Sequence, residues 1–381
     1  MSSHKKILLG QLGAYGDCLY VTTIARQIKS DYPGCHLTWA IGSAYSSIIA
    51  NNPYVDKIWE IPIANHRELW EKWDEFEKKA QEAKNHGDFD LIFLTQIPPK
   101  NFKNFDSTVR TSLFRAYPNP ITVRVTPILR LSEKEIQNVK LFAKSYKLES
   151  KKHVILFECS SHSSQSFVTD EFAYEFAIKL VSLIPELCII LSSNKKIQLQ
   201  HERIIDASCL SFRENAELTK YCTLLIGCSS GISWLCTSDW AKKLQMVQLL
   251  EKDRSIYASF IHDYLYRGES IDHIIEMTNC STDKLLDCIL CIFNEDFKVA
   301  KSTYSENIKI TFSSYSAIIY NYLLKTRKYK DAFISIKNTV NRFGVRPNLF
   351  FWIFIQLIRH IIMSVFNFDL IKLRKLFSHN I

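Results

Sequence analysis

Apolar residues in the first 300 positions come in short runs separated by amphipathic stretches. Ile7, Leu8 and Leu9 form one such run, closed by Gly10. A glycine-spaced turn follows, then Val21, Ile24, Ala25 and Ile28 at helical spacing. This predicts a buried strand, a turn and a helix opening at Asp17. Residues 36–41 predict a second strand and 45–50 a short helix, broken by Asn51, Asn52 and Pro53. Residues 55–61 predict a third strand and 91–94 a buried fourth. Between them, 66–86 are charged and helical, with Leu69, Trp70, Trp73 and Phe76 spaced as core residues. Strand–helix alternation of this kind implies a parallel sheet covered by helices on both faces.

The pattern lapses over 97–130 and then resumes. That segment carries Lys100, Lys103, Arg110, Arg115, Arg124 and Arg130, and its five prolines predict loops. Residues 132–148 read as a helical connector. A second alternating unit has strands at 154–157, 187–191, 204–205, 224–226 and 246–250. Thr169 is positioned to cap a helix containing Phe172, Phe176, Ile178, Leu180 and Val181. The predicted organisation is α/β: a first domain over 1–130, a connector over 131–152, a second domain over 153–295 and a helical tail over 296–381.

Glycine placement sharpens this picture. There are ten glycines in 381 residues, about a third of the usual ~7%. Three stand at 10, 13 and 16, so the backbone there turns tightly or lies against something. The second domain repeats the device: Gly227 and Gly231 bracket Cys228, Ser229 and Ser230 before a helix begins. Each turn follows a strand, where open α/β sheets bind ligands. Asp17 then stands in the first helical turn as a candidate carboxylate, or simply as a helix cap.

Charge is distributed unevenly. The net charge is +9, yet residues 301–381 hold 13 Lys and Arg against Glu306, Asp331 and Asp369. The tail is therefore +10 and the remainder −1, which points to an anionic partner for the tail. Residues 349–366 are almost wholly apolar but contain Arg359 and His360. A central arginine costs roughly 2.5–3.5 kcal/mol in a bilayer, so a transmembrane span is rejected. A helix lying in the interface is expected instead, with Lys372, Arg374 and Lys375 toward anionic head groups; the alternative is a cap packed on the body. Eleven cysteines, an odd number, make no disulfide framework. Without an apolar signal core at the start, a reducing, cytoplasmic setting is expected, peripheral on the inner membrane face.

Several chemistries are excluded by spacing. The first turn is G-x-x-G-x-x-G rather than G-x-G-x-x-G, and no acid ends the second strand, so a dinucleotide fingerprint is missing. No phosphate-binding loop of the G-x-x-x-x-G-K-[ST] type occurs. Asp88-Phe89-Asp90 enters an apolar strand and reads as strand-edge solvation. Cys288 and Cys291 lack a second ligand pair, so no metal or cofactor is expected. Nucleic acid is a poor partner for a neutral body.

The segment from Ile7 to Asp17, followed by Thr22-Thr23, Tyr32-Pro33 and Asn52-Pro53-x-Val55-Asp56, resembles the amino-terminal half of glycosyltransferase family 9. That family includes the ADP-heptose:lipopolysaccharide heptosyltransferases. Leu210-Ser211-Phe212-x-Glu214 and Leu225-Ile226-Gly227-Cys228-Ser229-Ser230-Gly231-Ile232-Ser233 resemble its donor-binding half. The resemblance spans about residues 5–295. It implies a GT-B fold, two Rossmann-like domains facing a cleft, and an inverting, metal-independent transfer from a nucleotide sugar to a glycan or glycolipid acceptor.

By that resemblance Asp17 is the general base and Gly13, Ala14, Tyr15 and Gly16 form the acceptor-side loop. The donor diphosphate falls to Ser229, Ser230, Gly231, Ile232 and Ser233, helped by Ser160, Ser161 and Gln165. Lys100, Lys103, Arg110 and Arg115 are expected on an anionic acceptor. The family usually carries Asp where Ser229 stands, His where Trp234 stands and Lys near Gln165. Those departures motivate two alternatives: a non-catalytic GT-B scaffold in glycan assembly, or a nucleotide-sugar epimerase.

Overall fold

The computed structural model describes residues 5–377 apart from 160, 162–163 and 199–200. The side chains of 66, 254–256 and 364–377 are also outside the description. Ser160 and the side chains of Lys372, Arg374 and Lys375 therefore lie outside the description.

The chain forms two units: Met1–Gln96 with Tyr117–Ile308, and Ile97–Ala116 with Lys309–Ile381. This differs from the expected domains in three ways, the first being that the expected first domain, connector and second domain fall in one unit. Part of the irregular 97–130 segment belongs with the tail, and the tail unit begins at 309 rather than 296.

The first unit contains both predicted sheets. Strands β1 (Lys6–Gly10), β2 (His36–Gly42), β3 (Lys57–Ile61) and β4 (Leu91–Leu94) lie in the order β3-β2-β1-β4, with every pairing between them parallel. Helices α1 (Tyr15–Asp31) and α2 (His66–Asn85) belong to this lobe. Leu69, Trp73 and Phe76 of α2 are buried. Asn65 caps α2 through the backbone N–H groups of Arg67 and Glu68. The short helix expected at 45–50 is a 3₁₀ turn, Ser43–Ile49, and β3 starts two residues later than expected.

In the tail unit, helix α3 (Val109–Arg115) forms where prolines predicted only loops. The connector is α4 (Glu133–Ser145), opened by a capping box between Ser132 and Glu135.

The second lobe has six strands: β5 (His153–Glu158), β6 (Leu187–Ser192), β7 (Ile204–Asp206), β8 (Leu224–Gly227), β9 (Gln245–Leu250) and β10 (Ile274–Thr278). Their order is β10-β9-β8-β5-β6-β7, with all pairings parallel. Strand β10 lies outside the predicted set. Its helices are α5 (Asp170–Leu183), capped by Thr169 as expected, then α6 (Glu214–Leu218), α7 (Gly231–Leu235), α8 (Ser255–Ala258), α9 (Phe260–Tyr266), α10 (Thr282–Asn294) and α11 (Phe297–Tyr304). A core that includes Phe157, Phe176, Ile189, Leu191 and Ile226 fills the space between sheet and helices.

The tail unit holds α12 (Ser313–Ile319), α13 (Tyr329–Phe343) and α14 (Pro347–Phe377) around the 97–116 segment. Phe102 stacks on Tyr322 with centroids 4.3 Å apart. The Ser335 hydroxyl donates to the Phe105 carbonyl at 2.7 Å and lies 2.9 Å from the Tyr315 hydroxyl. Asn338 donates to the Lys103 carbonyl at 3.0 Å. Two stretches far apart in sequence thus share one core.

Candidate active site at the two glycine turns

The first turn is built by close packing. A Cβ on Gly10 would come 2.5 Å from Leu94, and one on Gly13 would come 2.6 Å from the Tyr45 ring. Larger residues there would force the strand and turn apart. The Gln96 side-chain carbonyl accepts the N–H groups of Leu12 at 3.0 Å and Gly13 at 3.1 Å, and the Gln11 amide at 2.9 Å. The peptide between Gly13 and Ala14 is cis. Ala14 is the N-cap of α1 and offers no side-chain acceptor.

Asp17 follows in the first turn of α1, half-buried. A carboxylate there is favoured by the helix dipole. Its charge, added to the larger effect of burial, pushes the neighbouring Cys18 thiol up. Burial, with smaller contributions from Cys18, Tyr15 and Asp17, pushes Tyr45 up to about 12.

The second turn comes from β8, residues 228–230 and α7. Gly227 is fixed by crowding: a Cβ there would lie 2.2 Å from the Ser233 hydroxyl and 2.6 Å from the Gln248 amide. Ser229 takes a left-handed backbone with φ of 50°. Its N–H donates to Gln248 at 2.8 Å, and its hydroxyl donates to the Ala258 carbonyl. Gln165 donates to the Ser229 carbonyl at 3.1 Å.

A residue absent from the sequence-based site sits at the centre of this turn. The Glu158 carboxylate, at the end of β5, accepts the Cys228 N–H at 2.9 Å and the Ile232 N–H at 3.0 Å. The Ser233 hydroxyl donates to it at 2.5 Å. Glu158 is 2% exposed. Burial pushes its pKa up, against the pull of those donors and of the Ser230 N–H. Among the expected diphosphate ligands, the Ser229 and Ser233 hydroxyls and the Ile232 N–H are thus engaged inside the protein. Ser230, Gly231 and Ile232 remain partly exposed. Among the described residues, the Ser161 hydroxyl and the Gln165 carbonyl oxygen are buried without a hydrogen-bond partner.

The polar row extends across the sheet. Gly227 pairs in register with Gln248, and Gln248 with Glu276. Glu276 accepts the Ser259 hydroxyl at 2.6 Å and the Ile261 N–H at 3.1 Å, at the start of α9. Burial pushes Glu276 up to about 7.

The two turns meet. A Cβ on Gly16 would lie 3.9 Å from the Trp234 ring, and one on Gly231 would lie 2.9 Å from Phe212 and 3.5 Å from Tyr15. The Tyr15 ring packs on Phe212 with centroids 4.7 Å apart, and its hydroxyl donates to the Ala44 carbonyl at 3.0 Å. Tyr20 meets Trp234 edge-on at 5.7 Å, and Arg267 donates to the Tyr20 hydroxyl. Trp234 in turn stacks on Phe260 at 3.7 Å.

Arg213, next to the resemblance's Phe212, clamps the lobes. It pairs with Glu135 at 2.7 Å and donates to the carbonyls of Ser47 at 2.7 Å, Ala50 at 3.0 Å and Arg130. Glu214 accepts the Ser211 N–H at 2.6 Å and the Asn138 amide at 2.9 Å.

The four cations expected on an acceptor lie in the tail unit. Arg115 is committed to buried Asp106 at 2.5 Å and to the Asn104 carbonyl at 2.9 Å. Arg110 is buried, while Lys100 and Lys103 are exposed. A separate open pocket of about 880 Å³, lined by Lys6, His36, Lys57, Trp59 and His86, lies at the amino ends of β1–β3. That is the opposite end of the strands from the ligand position of open α/β sheets.

No family model and no curated protein matches the chain. Solved structures do. A glycosyl transferase family 9 structure from Veillonella parvula DSM 2008 shares 14% identity at a TM-score of 0.53, covering 81% of this chain and 96% of its own. The ADP-heptose lipopolysaccharide heptosyltransferase II of E. coli aligns at 13% identity and a TM-score of 0.49, over 74% of this chain and 96% of that one. A putative UDP-N-acetylglucosamine 2-epimerase from Listeria monocytogenes aligns at 9% identity and 0.46, over 86% and 97%. At the identity of the first of these, what is shared is the fold, two parallel-sheet lobes of GT-B type.

Proposed function

We propose that this protein is a glycosyltransferase that moves a sugar from a nucleotide sugar to a glycan or glycolipid acceptor. The observation that carries the reading is the apposition of the Asp17 turn with the Gly231 turn of the other lobe, through Gly16–Trp234 and Tyr15–Gly231. Inverting transfer needs one base to take the acceptor hydroxyl proton while the nucleoside diphosphate departs from the opposite side of the sugar carbon. Asp17 fills the role of base. The partly exposed Ser230 and Gly231 backbone, with Ser161 and Gln165, supplies the donor side. No metal is invoked, and the nucleotide sugar is substrate rather than cofactor. The acceptor is read as lipid-linked, of the lipopolysaccharide type, and presented at the inner face of the cytoplasmic membrane.

Calorimetric titration with ADP-, GDP-, UDP- and dTDP-sugars tests the donor half of this reading. Saturable binding of one of them, with Asp17→Asn binding equally but turning over far less, supports it. Absence of binding to all four sinks it.

One observation favours a second reading. The carboxylate of Glu158 already occupies N–H groups that a diphosphate would use. A non-catalytic GT-B scaffold needs no vacant cradle there. The same titration separates the two, because a scaffold binds none of the four.

A further inference from the structure

We propose that the tail unit docks on the surface of an anionic lipid bilayer through the open face of α14, with the cations of residues 325–330 at its rim. The inference deepens the reading of a lipid-linked acceptor and is tested apart from it.

Helix α14 buries only a narrow stripe, through Leu349, Ile353 and Gln356. Among the described side chains of this helix, up to Met363, most of the other apolar ones are exposed. Phe351 is 57% exposed, Phe354 60% and Ile361 61%, with Phe350, Ile358 and Ile362 also exposed. On a soluble monomer a contiguous apolar face of this kind marks an interaction site. Among the described residues, no helix is long and apolar enough to cross a membrane. A helix with one apolar side and flanking cations lies in the interface plane instead.

Charge selects the occupant. Residues 97–116 and 309–363 contain thirteen Lys and Arg against two acids, Asp106 and Asp331, and Asp106 is buried. Lys325, Arg327, Lys328 and Lys330 fall within six residues and are all exposed. The turn that carries them is held beside α14, because the Tyr329 hydroxyl lies 3.1 Å from His360 Nε2. Arg359 rests over the Tyr320 ring at 4.4 Å, leaving its neighbours on the helix to form the apolar face. A second copy of the chain would bring the same excess of cations to the rim. An anionic lipid surface neutralises it.

The test uses the full chain with phosphatidylcholine vesicles, with and without phosphatidylglycerol, read by co-sedimentation. Binding is expected on the anionic vesicles, weakening as salt rises. Each surface cation near the membrane accounts for roughly fivefold in affinity. Lys325→Glu with Arg327→Glu should therefore lose at least about tenfold. Phe351→Glu with Phe354→Glu should lose binding to a similar degree, with wild-type circular dichroism in both variants. Nucleotide-sugar binding, measured by calorimetry, should be unchanged in both, so a failed docking result leaves the transferase reading standing and the reverse also holds. Absence of vesicle binding overturns the proposal, as does binding that neither double variant weakens. A concentration-dependent dimer that only Phe351→Glu with Phe354→Glu disperses, without vesicle binding, also overturns it, because a second copy then covers the face.

Discussion

Glu158 and Ser233 are joined by a 2.5 Å hydrogen bond, 75 positions apart in the chain, at the buried centre of the turn that the family resemblance assigns to a diphosphate. The acid fills the backbone cradle that such turns offer to anions. The glycine turn of the second lobe is thereby folded around a carboxyl group of the protein's own. Whether a nucleotide can share that space is the first thing to measure.

Glu158→Gln removes the charge the carboxylate carries when ionised and keeps one carbonyl oxygen, which in the Oε2 position still accepts from Cys228 and Ser233 while the Ile232 contact at Oε1 is given up. A like charge at about 8 Å in a medium of effective dielectric ~20 costs on the order of 2 kcal/mol. Nucleoside diphosphate affinity should therefore rise by roughly tenfold or more in this variant, read by calorimetry. Unchanged affinity would place the diphosphate away from Cys228 and Ile232.

Asp17→Asn keeps the size of the side chain and removes the base. Turnover should fall by about 10²–10⁴-fold, the usual range for a lost general base, with the donor dissociation constant unchanged. Single-turnover kinetics on the identified nucleotide sugar would check it. Near-normal turnover takes Asp17 out of the chemistry.

Glu276 sets a pH dependence of stability. Its pKa in the folded protein, about 7, lies above the usual carboxylate range, so the native state holds the proton more tightly than the unfolded chain. Its contribution to stability is full below the usual carboxylate range and is lost as pH rises through about 7. At 1.36 kcal/mol per pKa unit the loss is on the order of 3 kcal/mol. Glu158, shifted in the same direction, adds to the slope. Glu276→Gln should flatten the fall in melting temperature between pH 5 and 8 (about the span of the shift). An equally steep fall in that variant would assign the slope elsewhere.

Arg213→Ala leaves Glu135 without its partner and uncovers the carbonyls of Ser47, Ala50 and Arg130. Arg213 is buried but Glu135 is partly exposed and keeps its Ser132 bonds, so the loss falls toward or below the lower end of the range of about 3–5 kcal/mol for a fully buried pair. Urea unfolding should show that loss. Arg213→Lys should recover only part of it, since one ammonium cannot reproduce a planar fork directed at several acceptors.

Much of the fold is legible in local pattern. The apolar run at Ile7–Leu9 and the caps at Ser132 and Thr169 each report a short-range constraint, while the glycines at 13, 227 and 231 signal crowding without naming the distant side chains that cause it. What stays hidden depends on partners far along the chain. Glu158 ends the run Val154–Phe157 and reads as a polar strand terminus until β8 and α7 are placed beside it. Gln96 looks like an ordinary residue after β4, yet it wires the first turn across 83–85 positions. Trp234 and Arg267 likewise gain meaning only when Tyr20 of the other lobe meets them. The prolines of 97–130 correctly signal irregular backbone, but they say nothing of the helix at Val109–Arg115 or of its association with the tail.

That association has a consequence for how the protein is made. Residues 97–116 leave the ribosome roughly 200 residues before their packing partners, a delay of about 10–40 s at ordinary elongation rates of about 5–20 residues per second. During that interval Phe102 and Phe105 have no Tyr322 or Tyr315 to lie against. Chaperones should engage nascent chains at this stage, and a clone shortened at its 3′ end should yield insoluble product even though every residue of both sheets is encoded.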